Sequence, residues 1–220
     1  GTIEFTGGDG NANFAQLGNG GDSSRSGNVA GHSGAIDVDA VGNIEFHAGT
    51  YRITNNNTDA RNYEMLGHGG YDADASNNNT RIVGLGHTGA IDVRTTMGNL
   101  SFFGGSAALN GGVGNDDGRF HFAHLGHGGY ASAGDHNGSI TVNADAGAIT
   151  FTGGATDDNS NETYNYAQLG HGGAFSRGVK GVAADTISVT ALNDITFTGG
   201  LADTGNSRRS YAQLGNGGYD

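Results

Sequence analysis

Short apolar pairs separated by one polar residue recur along the chain. Ile36-Asp-Val38, Ile91-Asp-Val93, Ile140-Thr-Val142 and Ile187-Ser-Val189 form one series. Ile3-Glu-Phe5, Ile44-Glu-Phe46, Leu100-Ser-Phe102, Ile149-Thr-Phe151 and Ile195-Thr-Phe197 form a second. Alternation with a period of two turns one face of a strand inward and the other outward, and these residue types favour strands. No segment sustains a 3.6-residue stripe, so no helix is predicted. A third phrase occurs five times: Phe14-Ala-Gln-Leu-Gly-Asn-Gly-Gly21 and its counterparts beginning at Tyr63, Phe122, Tyr166 and Tyr211. It reads as a short strand that kinks at its glycines. Four copies place Ala15, Ala123, Ala167 or Ala212 two residues before the leucine, and the second places Glu64 there. If Ala and Leu face inward, so does Glu64, at a cost unless it is paired.

The central leucines Leu17, Leu66, Leu125, Leu169 and Leu214 are separated by 49, 59, 44 and 45 residues. Three short strands per repeat with recurring residue types predict an all-β parallel β-helix. Equivalent strands would lie about 4.8 Å apart in successive coils. Like residues would then stack, making the leucines and the ring column Phe14, Tyr63, Phe122, Tyr166 and Tyr211 structural ladders. The chain reads as one domain, 1–220, of about four and a half coils (repeats 1–35, 36–90, 91–139, 140–186 and 187–220). Two loops of variable length fall outside each coil. The first follows the Gly-rich corner, beginning near Gly8, Thr50, Ser106, Ala155 and Leu201. Residue 1 begins inside the I-x-F phrase and Asp220 follows a complete L-G-N-G-G. Because solenoids need caps, this predicts either a window of a longer array or a unit that stacks end to end.

Composition sharpens the picture. The chain has 44 glycines in 220 residues, against a usual share of about 7%. Scattered, they would suggest disorder; here many stand at fixed corners. Pro is absent, as suits strands hydrogen-bonded on both sides. Cys is absent too, which excludes disulfides and thiolate zinc sites. A formal charge of -12 repels phosphate backbones, so nucleic acid is not an expected partner. No apolar run approaches the ~18 residues of a membrane span.

Gly138-Ser-Ile-Thr-Val-Asn-Ala144, Gly147-Ala-Ile-Thr-Phe-Thr-Gly-Gly154 and Tyr166-Ala-Gln-Leu-Gly-His-Gly-Gly173 resemble repeats of large bacterial exoproteins of the filamentous haemagglutinin type. The resemblance covers the whole chain. It implies a right-handed parallel β-helix, secretion through a two-partner system to the cell surface, and a structural or adhesive role. The amino-terminal secretion domain of such proteins has no counterpart in the sequence.

His68, His127 and His171 occupy one slot of the L-G-x-G-G phrase, with Asn19 and Asn216 in the outer copies. His32, His87 and His136 each stand four residues before the first Ile of I-x-V, and Ala183 breaks that series. Stacked imidazoles about 5 Å apart could bridge a metal ion. Asn and His also both tolerate left-handed turns and stack as polar ladders do, and the exchange of Asn for His favours this reading. No cofactor is expected, although Asp116, Asp117, Asp157 and Asp158, in the loops after the corner, could form weak calcium sites; their spacing fits neither an EF-hand nor a nonapeptide repeat. Tyr71, Tyr130 and Tyr219 make a second ring column that would stabilise the stack or hold sugars. Catalysis is not expected. The chain has a single lysine, Lys180, its arginines lie mainly in variable loops, and no paired carboxylates mark a glycosidase. An ice-binding Thr face is interrupted, because Thr6, Thr152 and Thr198 align but Ala48 and Phe103 do not continue the row. The expected function is a non-catalytic structural or adhesive segment of an extracellular surface fibre. Its expected partners are neighbouring repeats end to end and surface glycans or proteins. A carbohydrate- or metal-binding module is the alternative, and a polysaccharide-cleaving β-helix ranks below both.

Overall fold

The computed structural model describes residues 1–10, 12–24, 31–53, 61–73, 85–109, 120–156, 164–202 and 210–219. They form a parallel β-helix. The first coil holds β1 (Ile3–Thr6) and β2 (Ala12–Leu17). The second holds β3 (Ile36–Ala40), β4 (Ile44–His47), β5 (Thr50–Ile53) and β6 (Arg61–Leu66). The third holds β7 (Ile91–Thr95), β8 (Leu100–Phe103), β9 (Ser106–Leu109) and β10 (Ala123–Leu125). The fourth holds β11 (Ile140–Ala144), β12 (Ile149–Thr152), β13 (Ala155–Thr156) and β14 (Ala167–Leu169). The last holds β15 (Ile187–Ala191), β16 (Ile195–Thr198), β17 (Leu201–Ala202) and β18 (Ala212–Leu214).

Like strands pair with like. The I-x-V strands form the sheet β15-β11-β7-β3, the I-x-F strands β1-β4-β8-β12-β16, and the leucine strands β18-β14-β10-β6-β2. Register follows the repeat, with Ile36 opposite Ile91, Phe46 opposite Phe102 and Leu125 opposite Leu169. The inner columns of Ile, Val, Phe and Leu make one continuous core. Within it Phe5, Phe46, Phe102, Phe151 and Phe197 stack at 4.6–4.9 Å. A ring stack at van der Waals spacing adds to the burial energy of each phenylalanine.

Four features differ from the sequence reading. A fourth sheet, β17-β13-β9-β5, begins at the positions read as variable loop. Parallel backbone pairing does not require matching side chains, and these segments (TYRI, SAAL, AT, LA) show no common pattern. Second, the inner leucine strands β6, β10 and β14 are covered on both faces. Their outer side carries the column Phe14, Tyr63, Phe122, Tyr166 and Tyr211, stacked at 4.6–5.2 Å. Together with Met65, Phe120, Tyr164 and Ala174, the rings of Tyr63, Phe122 and Tyr166 build a second apolar layer against which Tyr211 packs. Third, the Thr6 slot of the second coil is filled by His47 rather than Ala48, and His47 stacks on Phe103 at 5.0 Å. Fourth, His136 is matched in the next coil by Lys180, not Ala183, because the stretch before Ile187 is longer there.

Candidate functional site

The L-G-x-G-G turns lie directly above one another, with Gly20, Gly69, Gly128, Gly172 and Gly217 bridged in sequence. Each turn folds the chain back over the outer face of the leucine sheet. The residue after the paired glycines then reaches the aromatic layer, as Tyr71 and Tyr130 show by stacking at 5.0 Å. Register forces the slot between the glycines into a column. His68, His127 and His171 stack face to face with centroids 4.9 and 5.0 Å apart.

Both nitrogens of these rings are engaged. The backbone N–H of Asn19 donates to His68 Nδ1 (2.9 Å), that of His68 to His127 Nδ1 (3.0 Å), and that of His127 to His171 Nδ1 (3.1 Å). On the other side, Nε2 lies 2.9 Å from Gly34 O in His68, 2.9 Å from Gly89 O in His127 and 2.6 Å from Gly138 O in His171. A carbonyl oxygen only accepts, so each ring carries its proton on Nε2 and leaves Nδ1 bare. Asn reproduces both functions: Asn216 Oδ1 accepts from His171 N at 2.8 Å, and Asn19 Nδ2 donates to Ser33 O at 3.2 Å. That equivalence explains the exchange of Asn for His in this slot.

The second column runs beside the first. His32, His87 and His136 stack at 5.1 and 4.9 Å. The N–H of His32 donates to His87 Nδ1, and that of His87 to His136 Nδ1, each at 3.1 Å. His87 Nε2 donates to Ala73 O at 2.7 Å and lies 3.2 Å from Ser132 Oγ. Since that nitrogen already holds the proton, it offers no base to Ser132, whose hydroxyl donates to Ala73 O. Burial pushes every imidazole of both columns below its ordinary value, His87 to about 4. The columns also depress one another, His68 acting on His32 and His87, and His87 on His127. All six rings are therefore neutral in the folded protein at pH 7.

The geometry spreads the predicted metal-ligating histidines along two stacks. Backbone groups face the ring nitrogens of His68, His127, His171, His87 and His136, while His32 Nε2 lies 3.1 Å from Ser24 Oγ. Among the described residues no group of three or more His, Asp or Glu side chains is placed to hold a metal ion. Asp116, Asp117, Asp157 and Asp158 lie outside the described residues. The ladder leucines Leu66, Leu125 and Leu169 are fully buried in the main core, and Leu17 packs against it, while Leu214 in the last coil is exposed.

Three buried titratable groups escaped the sequence analysis as sites. His121 and His124 are fully buried with no hydrogen bond to either ring nitrogen, and burial lowers them to about 4 and about 3. His124 stands in a slot otherwise filled by Gln16, Met65, Gln168 and Gln213. Gln16 and Gln168 use the slot to donate to turn carbonyls, at 3.1 Å to Gly69 O and Gly217 O respectively. Glu64 lies opposite Ala15 and Ala123, fully buried, with neither carboxyl oxygen in a hydrogen bond. Burial raises its pKa well above the usual carboxylate value, with the Ala48 backbone as a smaller opposing influence.

No helix among the described residues is long and apolar enough to cross a membrane. No protein-family model matches the chain, and neither the curated proteins nor the solved structures compared with it gave a match. The resemblance to filamentous haemagglutinin-type exoproteins therefore rests on the repeat phrases alone.

Proposed function

We propose that this chain is a structural segment of an extracellular adhesive β-helical fibre, exported to a bacterial surface, and that it carries no catalytic centre. The observation that supports this reading is the use made of the recurring polar residues. The slot histidines and asparagines bond one coil to the next, and the described glutamines of the leucine strands bond turn carbonyls. A catalytic centre departs from the repeat at one place; here the repeated chemistry is spent on stacking. The partners of such a segment are neighbouring coils along the axis and glycans or proteins met by the loops, which differ from coil to coil. Electron microscopy of the native exported protein tests the reading. A continuous narrow rod with a repeat of about 4.8 Å along its axis is expected. Discrete particles that cleave a polysaccharide, or retention of the protein inside the cell, would overturn it.

A further inference from the structure

We propose that the two imidazole columns form an acid-released latch, which at neutral pH holds the L-G-x-G-G turns and the segments leading into the I-x-V strands against the β-helix. The argument starts from the bare Nδ1. In His68, His127 and His171 that nitrogen accepts a backbone N–H from the preceding coil, while Nε2–H reaches the carbonyl of Gly34, Gly89 or Gly138 just before an I-x-V strand. Each ring thus clamps a turn to two other backbone segments. A proton added to Nδ1 replaces the acceptor with a donor and points it at another donor. The bond between coils is lost, and the new charge sits about 5 Å from the next ring of the stack.

Among the described residues little compensates a charge there. Lys180 continues the second column and repels it. His171 in turn depresses the fully buried imidazole of His124. Of the acids, Asp135 Oδ1 already accepts from Val179 N, and Asp185 Oδ2 from Gly138 N and Val182 N. Among the described acids, Asp185 favours a proton on one column member, His171. Below the latch lies the aromatic layer of Tyr63, Met65, Phe122 and Tyr166, all fully buried while it is shut. The columns are neutral when folded and ionise freely when released, so the released form binds more protons. The latch is therefore closed above about pH 6.5, the ordinary imidazole value, and loosens progressively as pH falls below it.

The test uses the chain's own alternative residue. In the triple variant His68→Asn, His127→Asn, His171→Asn each asparagine keeps an acceptor and a donor but cannot titrate. The expected result is the same strand-type circular dichroism at pH 7 and an acid transition, read by binding of the dye ANS to the aromatic layer, moved down by about one pH unit or more. An unmoved transition overturns the latch. A second measurement on the unaltered protein decides the matter even if the variant fails to fold: ¹⁵N chemical shifts of the imidazoles against pH. The proposal requires Nε2–H tautomers at pH 7 and protonation of the column rings in step with ANS uptake. Rings that titrate one by one near pH 6.5 while ANS stays unbound would overturn it.

Discussion

Glu64 is the residue at which the repeat and the chemistry disagree. Four coils put alanine in its slot, and the second coil puts a carboxyl there with no hydrogen-bond partner and no exposure. Its pKa is raised when folded, so the buried group is held protonated. The sign follows from linkage. The unfolded chain ionises Glu64 above its ordinary value near 4.5, while the folded chain does not until much higher pH. Its contribution is therefore intact below pH 4.5 and is lost as pH rises. Glu64→Ala is expected to stabilise the protein at pH 7 by on the order of 1–3 kcal/mol, the cost of an unmade bond at a buried polar group. Urea unfolding at pH 7 and pH 4 checks this: the gain should shrink at the lower pH. A gain independent of pH would mean that the carboxyl is ionised in the fold. The histidine columns act in the opposite direction, losing stability as pH falls, so the two contributions separate in one pH series.

At the scale of the element, the turn glycines set how closely coils approach. Gly67 adopts φ of +149°, and a Cβ there would overlap the Gly126 carbonyl of the next coil. Neither atom can withdraw without breaking the hydrogen bonds that flank it, such as Gly126 N to Leu66 O at 2.9 Å. Gly67→Ala is expected to destabilise by roughly 3 kcal/mol or more, combining left-handed strain with a backbone clash, as thermal unfolding would report. This part of the fold was legible in the sequence, because the I-x-V, I-x-F and L-G-x-G-G phrases mark both faces and corners, and the structure stacks them in the register of the repeat. The fourth sheet was not legible: β5, β9, β13 and β17 pair through backbone groups and share no pattern. Nor was the side chain that follows His136. Counting back from Ile187 lands on Ala183, whereas the longer approach in that coil brings Lys180 into the slot. The histidine columns were visible as columns, but their function depends on which atoms face the ring nitrogens. That is a property of neighbouring turns and leaves no trace in spacing. Phe175 shows the same limit. It takes φ of +57°, awkward for a bulky side chain, and its ring packs edge-on against Tyr130 and Tyr164. It fills the layer where Ala174 leaves no ring.

Over the whole molecule, one slot separates a stacking fibre from a self-sufficient domain. Gly18, Gly67, Gly126 and Gly170 each lie where a Cβ would strike a carbonyl of the following coil, but at Gly215 a Cβ would meet nothing within 4 Å. Within this chain Gly215→Ala therefore costs only left-handed strain, φ being +135° there, on the order of 1–3 kcal/mol. If a further coil stacks on the last one, as the fibre reading requires, that coil brings its own turn carbonyl over Gly215 and the methyl group blocks it. Asn216 is placed to take part in the same junction: its side chain accepts from His171 N, and its backbone N–H occupies the position from which His127 N reaches the next ring. The expected outcome for Gly215→Ala is a chain that keeps its strand-type circular dichroism, loses less thermal stability than Gly67→Ala, and no longer forms long rods in electron micrographs. Rods of unchanged length would remove end-to-end stacking at this face from the fibre reading. Unfolding of the variant would show instead that the last turn is already packed as tightly as the inner ones.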